Sequence, residues 1–449
     1  MKTEKIIDEK TRLFTLAGPI FVELLLNILI QNVDTIMLGR FSKTAVGAVG
    51  NANSIMFLFI VMFNVIATAT NVIVSQYLGA KQEDKMNQIY TLSFVVNAVI
   101  GIFLSAFLFF ICPVLFKVLK VPENMIEDCI AYTKIVGSCL FLQACFNVMV
   151  QILRCNGYTK VGMYISIAVN LLNILGNWLF LYGPWKYLGL GVKGAAISTV
   201  FARLMALISA IVIFYILKVG KLSLKTLKPF PFNLLMKELK IGLPTAGENM
   251  AYSLAQTILL SFINPMGAAA VNAKVFAQTL MNLNVAFSNS VAMSTQIITG
   301  HLVGAKKEDA AYRRVMKSLF LSLPVTLVLA SLNCFLSPWT LKIFGAEPDV
   351  IILTRQVMMV GILMELGRTT NLIIIGSLKA AGDYIFPVVI GMLCMWIVGI
   401  TTGYAGGVIF GLGAAGVFMG TMADECLRGI IVTIRWVKGK WRNKSIVEK

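Results

Sequence analysis

The chain has 449 residues, 58% of them hydrophobic and only 13% charged, with a mean hydropathy of +0.81. That balance excludes a water-soluble globule and describes an integral membrane protein. The net charge of +18 would suit nucleic acid or anionic lipid, so its distribution along the chain has to decide between them.

The opening MKTEKIIDEKTR is too charged and too long for a signal-peptide n-region, and no small-residue cleavage site follows, so the first helix is expected to be retained. Apolar runs of spanning length then fall near 13–38, 47–77, 88–116, 130–153, 160–183, 189–217, 237–262, 268–302, 315–344, 350–377, 383–405 and 407–434. That predicts about twelve helices, several long enough to tilt.

In the first run, Glu23, Asn27, Gln31 and Asp34 fall at i, i+4, i+8 and i+11, one stripe of a helix. An Asp at the centre of an inserted helix costs about 2.5 to 3.5 kcal/mol, while each Leu, Ile, Phe or Val returns about 0.3 to 0.6. The helix therefore still inserts, and the stripe is expected to face water or another bundle. The fifth run carries Asn170, Asn173 and Asn177 at i, i+3 and i+7. These amides can offer oxygens to a cation or donors to a carboxyl, which makes them natural partners for Asp34.

The seventh run repeats the first. Pro19 and Glu23 recur as Pro244 and Glu248, YLGAKQED recurs as LVGAKKED, and Pro113 with Lys117 recurs as Pro338 with Lys342, all at one constant offset. Glu248, Tyr252 and Gln256 form the matching stripe, but Leu259 takes the place of Asp34. Six helices per half return the chain to its starting side, so the halves should be related by an axis along the membrane normal. The domains expected are bundles at 1–217 and 237–449, joined by a basic linker at 218–236.

The basic residues settle both topology and partner. Six lie between Lys218 and Lys240, five between Lys306 and Lys317, and six from Arg435 to Lys449, while the opposite connections are poor. Both termini and the linker are thus expected in the cytoplasm, in the cell's inner (cytoplasmic) membrane, and no nucleic-acid partner is expected. Glu365 and Arg368 should neutralise one another, and Arg203, Lys274, Arg355 and Arg428 should snorkel or pair. Gly79 and Gly304 read as helix C-caps, His301 as a residue without a titrating role. Eight cysteines without CxxC spacing suggest neither a disulfide framework nor a zinc site.

PIFVELLLNILIQNVDTIMLGRFS, QYLGAKQED, ILRCNGYTKVGMYISIAVNLLNILGNWLF and GLGVKGAAIST together resemble a bacterial multidrug and toxic compound extrusion (MATE) family transporter, over nearly the whole chain and in both halves. The resemblance implies an all-α fold of two six-helix bundles and efflux of cationic or amphipathic organic compounds in exchange for protons or sodium ions. It implies no cofactor and no enzymatic activity, a monomer in the lipid bilayer, and Asp34 as the coupling acid. Asn173, Asn177 and Glu23 would assist Asp34, and Asn27, Gln31, Asn170, Glu248, Tyr252 and Gln256 would contact substrate. Many family members have an Asp where this chain has Asn177, which favours protons unless Glu23 contributes to a cation site. The acids other branches carry deeper in the seventh and tenth helices are not matched. A flippase of lipid-linked precursors in the same superfamily is the alternative, expected to show a strongly cationic cavity. A prenyl transferase would need a DDxxD-type magnesium motif, which does not occur, and a channel would lack obligatory exchange.

Overall fold

A backbone inside hydrocarbon must satisfy its own hydrogen bonds, which leaves helices or closed barrels. The computed structural model, which describes residues 7–9, 11–119 and 121–447 and the side chains of all but 31, 32, 43, 58, 61, 62 and 64–66 among these, is helical throughout, with no strand among the described residues. The helices are α1 (Leu13–Phe41), α2 (Lys43–Gly79), α3 (Glu83–Val118), α4 (Glu123–Gly137), α5 (Leu140–Cys155), α6 (Thr159–Leu181) and α7 (Gly191–Ile216). After them come α8 (Phe232–Ile263), α9 (Ala268–Gly304), α10 (Glu308–Ile343), α11 (Pro348–Ala380), α12 (Ile385–Leu393), α13 (Ile400–Tyr404) and α14 (Gly413–Val437).

α4 and α5 are one span bent by 43°, and α12 and α13 belong to one span, Ile385–Ile409, wound as π-helix at Cys394–Gly399 and Ala405–Ile409. Counted this way the described residues hold twelve membrane-length stretches, the number and order expected. Seven are by themselves long and apolar enough to cross a bilayer, and the bent pair makes an eighth. The repeat is exact in the helix ends: α2 and α9, and likewise α3 and α10, begin and end at the offset that relates Glu23 to Glu248.

The chain forms two compact units. One holds Val22–Leu78 and Gln82–Gly242, the other Ile7–Phe21, Gly79–Lys81 and the chain from Leu243 onward. The unit boundaries inside α1 and α8 lie beside Pro19 and Pro244, where a missing N–H removes a rung of the helix. Each unit has its own core, around Phe63, Phe116 and Leu140 in the first and around Met281, Val357 and Val417 in the second. The linker runs over α3, with Lys221 N donating to Asn87 Oδ1 at 2.7 Å and Ser223 N to Thr91 Oγ1 at 3.1 Å.

The two GAK loops depart from expectation in one detail. The left-handed residue is the lysine, Lys81 at φ 56° and Lys306 at φ 59°. Gly79 is required for another reason: a Cβ there would lie 2.1 Å from the His301 carbonyl oxygen.

Candidate functional site

In the first unit the polar stripes of α1 and α6 meet in register. Asn177 Nδ2 donates to Asp34 Oδ1 at 2.8 Å and Asn170 Nδ2 to Asn27 Oδ1 at 3.3 Å, and both pairs are 143 residues apart. Asn173, with its amide turned to satisfy both of its ends, donates to the two Asp34 oxygens at 3.1 and 3.2 Å. α7 holds α6 in place: Ser198 Oγ donates to the Asn173 carbonyl at 3.0 Å, and Gly176 lets the helices close, since a Cβ there would lie 2.2 Å from Ser198 Oγ. Asn173 and Asn177 are buried. Among the described residues Asp34 has no basic partner, and Asn177 Oδ1 is buried without a hydrogen-bond donor. The side chain of Gln31 lies outside the described residues.

The structure separates Glu23 from this cluster. Eleven residues of α1 place it about 16 Å along the axis from Asp34, where it pairs with Arg154 of α5 at 2.6 Å, the two side chains 7% and 6% exposed. Arg154 thus occupies the carboxylate that would have had to supplement Asp34 in a cation site. A Cβ on Gly162 of α6 would come 2.8 Å from Glu23 Oε2, so that glycine admits the pair. The pair recurs in the second unit: Glu248 meets Lys379 of α11 at 2.9 Å, with Gly391 of α12 against Glu248 Oε1. Arg154 and Lys379 are related by the same repeat that relates Glu23 to Glu248.

Glu248 lines a cavity of about 370 Å³ within the second unit, and Tyr252 and Gln256 line it too. Opposite them, α11 and α14 contribute Arg368, Glu425 and Arg428. Arg368 bonds Glu365 at 2.8 Å, as the i, i+3 spacing predicts, and also Glu425 at 3.3 Å. Asn371 Nδ2 donates to the other Glu425 oxygen at 2.8 Å, and Arg428 pairs with Asp424. Lys274 of α9 lines the same cavity half-buried, with no carboxylate partner among the described residues, so it neither pairs nor snorkels free of the interior.

Sequence reasoning missed Arg154, Lys379 and the acidic pair Asp424 and Glu425. The signal for the first two was present: ILRCNGYT and SLKAAGDY align at the same offset as the glutamates. Asp424 and Glu425 precede Arg428 by a turn in an apolar helix, a spacing that marks an internal pair. Among the described residues no three His, Cys, Asp or Glu side chains converge as a metal site.

A family model described as MatE matches residues 19–179 and 244–405. The uncharacterized transporter YisQ of Bacillus subtilis is 38% identical over 443 residues, which span 99% of this chain and 97% of that protein. The probable multidrug resistance protein NorM of Thermotoga maritima is 26% identical over 463 residues, 99% of this chain and 96% of its own. Among solved structures, an outward-facing multidrug resistance MATE family transporter matches with a TM-score of 0.89 at 18% identity, over 99% of this chain and 100% of that one. A transporter from Pyrococcus furiosus described as having a binding pocket of reverse polarity matches at 0.88 and 17% identity, over 98% of each chain. At such identities the likeness is one of fold.

Proposed function

The chain belongs to the MatE family of membrane transporters, and we propose that it is a secondary active antiporter that exports cationic or amphipathic organic compounds in exchange for protons. The observation that carries the coupling role is the setting of Asp34: a carboxylate with no basic partner among the described residues, held only by amide donors. The other intramembrane acids described above each sit beside an arginine or lysine. Of these acids, Asp34 alone is free to change protonation without stranding a cation.

The donor set favours protons over sodium. Asn177 turns its amide nitrogen toward Asp34, as an ionised carboxylate requires, whereas an alkali cation would draw amide oxygens inward. The unpartnered Asn177 Oδ1 can accept a hydrogen bond from an incoming proton carrier. In this reading the ionised cluster holds a cationic cargo, protonation from outside releases it, and both termini face the cytoplasm. The protein acts as a monomer in the inner membrane.

A ligand shifts a two-state carrier only through differential affinity. One charge crossing 100 mV supplies about 2.3 kcal/mol, enough for a roughly forty- to fifty-fold gradient of a neutral cargo. For a monovalent cation exchanged against one proton the voltage contributions cancel, and the pH gradient alone drives export.

The test is efflux of a fluorescent cation from vesicles under imposed pH or sodium gradients, comparing the native chain with Asp34→Asn. Gradient-driven transport should vanish with folding intact, and unchanged coupling would remove Asp34 from the role. The flippase alternative calls for a strongly cationic cavity lined by several Arg or Lys, and Lys274, Arg368, Lys379 and Arg428 do line this one, beside Glu248 and Glu425. Lys379, Arg368 and Arg428 each hold a carboxylate, so of these four only Lys274 lacks one among the described residues and the antiporter is the better reading.

A further inference from the structure

Arg314 of α10 is 8% exposed, and its Nε and Nη2 meet no hydrogen-bond acceptor; among the described residues no carboxylate pairs with it. The nearby acids are engaged elsewhere: Glu308 accepts from Asn443 N, Asp309 pairs with Arg442, and Glu9 with the neighbouring Arg313. A buried guanidinium with two of its nitrogens unbonded and no counter-charge is more costly than a paired one.

The residues opposite are unsatisfied as well. α9 and α10 form an antiparallel hairpin whose register is fixed by Asn333 Nδ2 on Asn284 Oδ1 at 3.2 Å, and by Ser288 and Thr326 both bonding Thr369 of α11. Continued toward the loop, the register sets Ser318 opposite Thr295 and Gln296, and Arg314 opposite Thr299. Thr295 Oγ1, Gln296 Nε2, Thr299 Oγ1 and Ser318 Oγ are all buried without a partner. All are donors, or hydroxyls able to donate, on the stretches of α9 and α10 that this register sets against each other.

The first unit shows what such a framework holds. Thr70 and Ser93 are the counterparts of Thr295 and Ser318 in the repeat, and Thr70 Oγ1 donates at 2.9 Å to the buried carboxylate of Glu238. The counterpart of Glu238 is Leu13, also buried and in the same unit as Thr295, while Ile89 stands in the first unit where Arg314 stands in the second. The second unit has lost the internal carboxylate and gained an arginine. We propose that a small inorganic anion, of the chemistry of chloride or phosphate, binds between Arg314 and the hydroxyl and amide groups of Thr295, Gln296, Thr299 and Ser318, replacing the carboxylate the first unit supplies itself. Burial of the guanidinium favours a free anion over a lipid headgroup. The site does not depend on the antiport reading.

The test is thermal unfolding of the purified full-length protein at fixed pH and ionic strength, with gluconate replaced stepwise by chloride or by phosphate, and separately with anionic phospholipid added. Ligand that binds only the folded state raises its stability with the logarithm of its concentration once that exceeds the Kd. The native chain should gain several degrees in Tm with chloride or phosphate, and Arg314→Gln should gain none. Leu13→Glu, which restores an internal carboxylate, should weaken the anion dependence at least tenfold, and it decides the matter if Arg314→Gln does not fold. A native Tm indifferent to the inorganic anion would mean that the pocket holds water only, a response to phospholipid alone would assign it to headgroups, and a full response in either variant would place binding elsewhere. Each of these overturns the proposal.

Discussion

Replacing Arg154 by Met isolates what the Glu23 pair does. The 2.6 Å contact joins two side chains no more than 7% exposed, so removing the cation strands an ionised carboxylate, at a cost of about 3 to 5 kcal/mol. Replacing both members, Glu23→Gln with Arg154→Met, leaves no buried charge and should be close to neutral for stability. At about 2 to 4 °C per kcal/mol for a unit of this size, Arg154→Met should lower the melting temperature by roughly 6 to 20 °C, with most of it recovered in the double variant. The assay is thermal unfolding in a single detergent, followed by gradient-driven efflux for whichever variants fold. If Arg154→Met is harmless, or the double variant melts as low as the single one, the contact is not a neutralising pair. If the double variant folds but loses coupling, Glu23 acts alongside Asp34 and the separation drawn between them is wrong.

The same reasoning carries to the repeated pair: Lys379→Met should destabilise by a similar amount and Glu248→Gln with Lys379→Met should recover it, read by the same unfolding measurement. Asn177→Leu removes the 2.8 Å donor to Asp34. Hydrogen bonds to charged groups are worth about 1.5 to 3 kcal/mol, so pH-driven exchange in vesicles should slow on the order of tenfold to a hundredfold while the protein still binds detergent as a monodisperse particle. Gly416→Ala places a Cβ 2.4 Å from the Gly406 carbonyl oxygen, where only backbone could move. Overpacking costs about 1 to 3 kcal/mol, more where nothing can relax, and size-exclusion recovery of folded protein should fall sharply. Lys274→Gln should weaken binding of an anionic fluorophore such as 7-diethylaminocoumarin-3-carboxylate without affecting its neutral carboxamide, measured by anisotropy. Equal loss of both would mean that Lys274 shapes the cavity and does not read charge.

Much of this was legible because a repeated chain in lipid carries redundant signals. The constant offset between the halves appears in the sequence and again in the ends of α2 and α9. The asparagine stripe of α6 and the acid stripe of α1 share a spacing of seven, which is why Asn27 with Asn170 and Asp34 with Asn177 can both meet. The Glu365 and Arg368 pair lies within one turn, so spacing alone reveals it. Arg154 and Lys379 were harder to find, because their glutamates lie far away in the chain on other helices and no local period connects them.

Composition, the spacing of apolar runs and the placement of lysine and arginine determine by themselves that this chain crosses the membrane about twelve times in two similar halves, because hydrocarbon tolerates nothing else at that length and polarity. They also mark Glu23 and Asp34 as acids whose cost in hydrocarbon implies a stripe facing water or another bundle, while the choice of Asp34 between the two came from the resemblance to the family. Which acids are neutralised and which stand free was decided only in three dimensions. Charge pairing acts through space over a few ångströms, and the helices that bring Arg154 to Glu23, Lys379 to Glu248 and only amides to Asp34 are adjacent in the fold and distant in the chain.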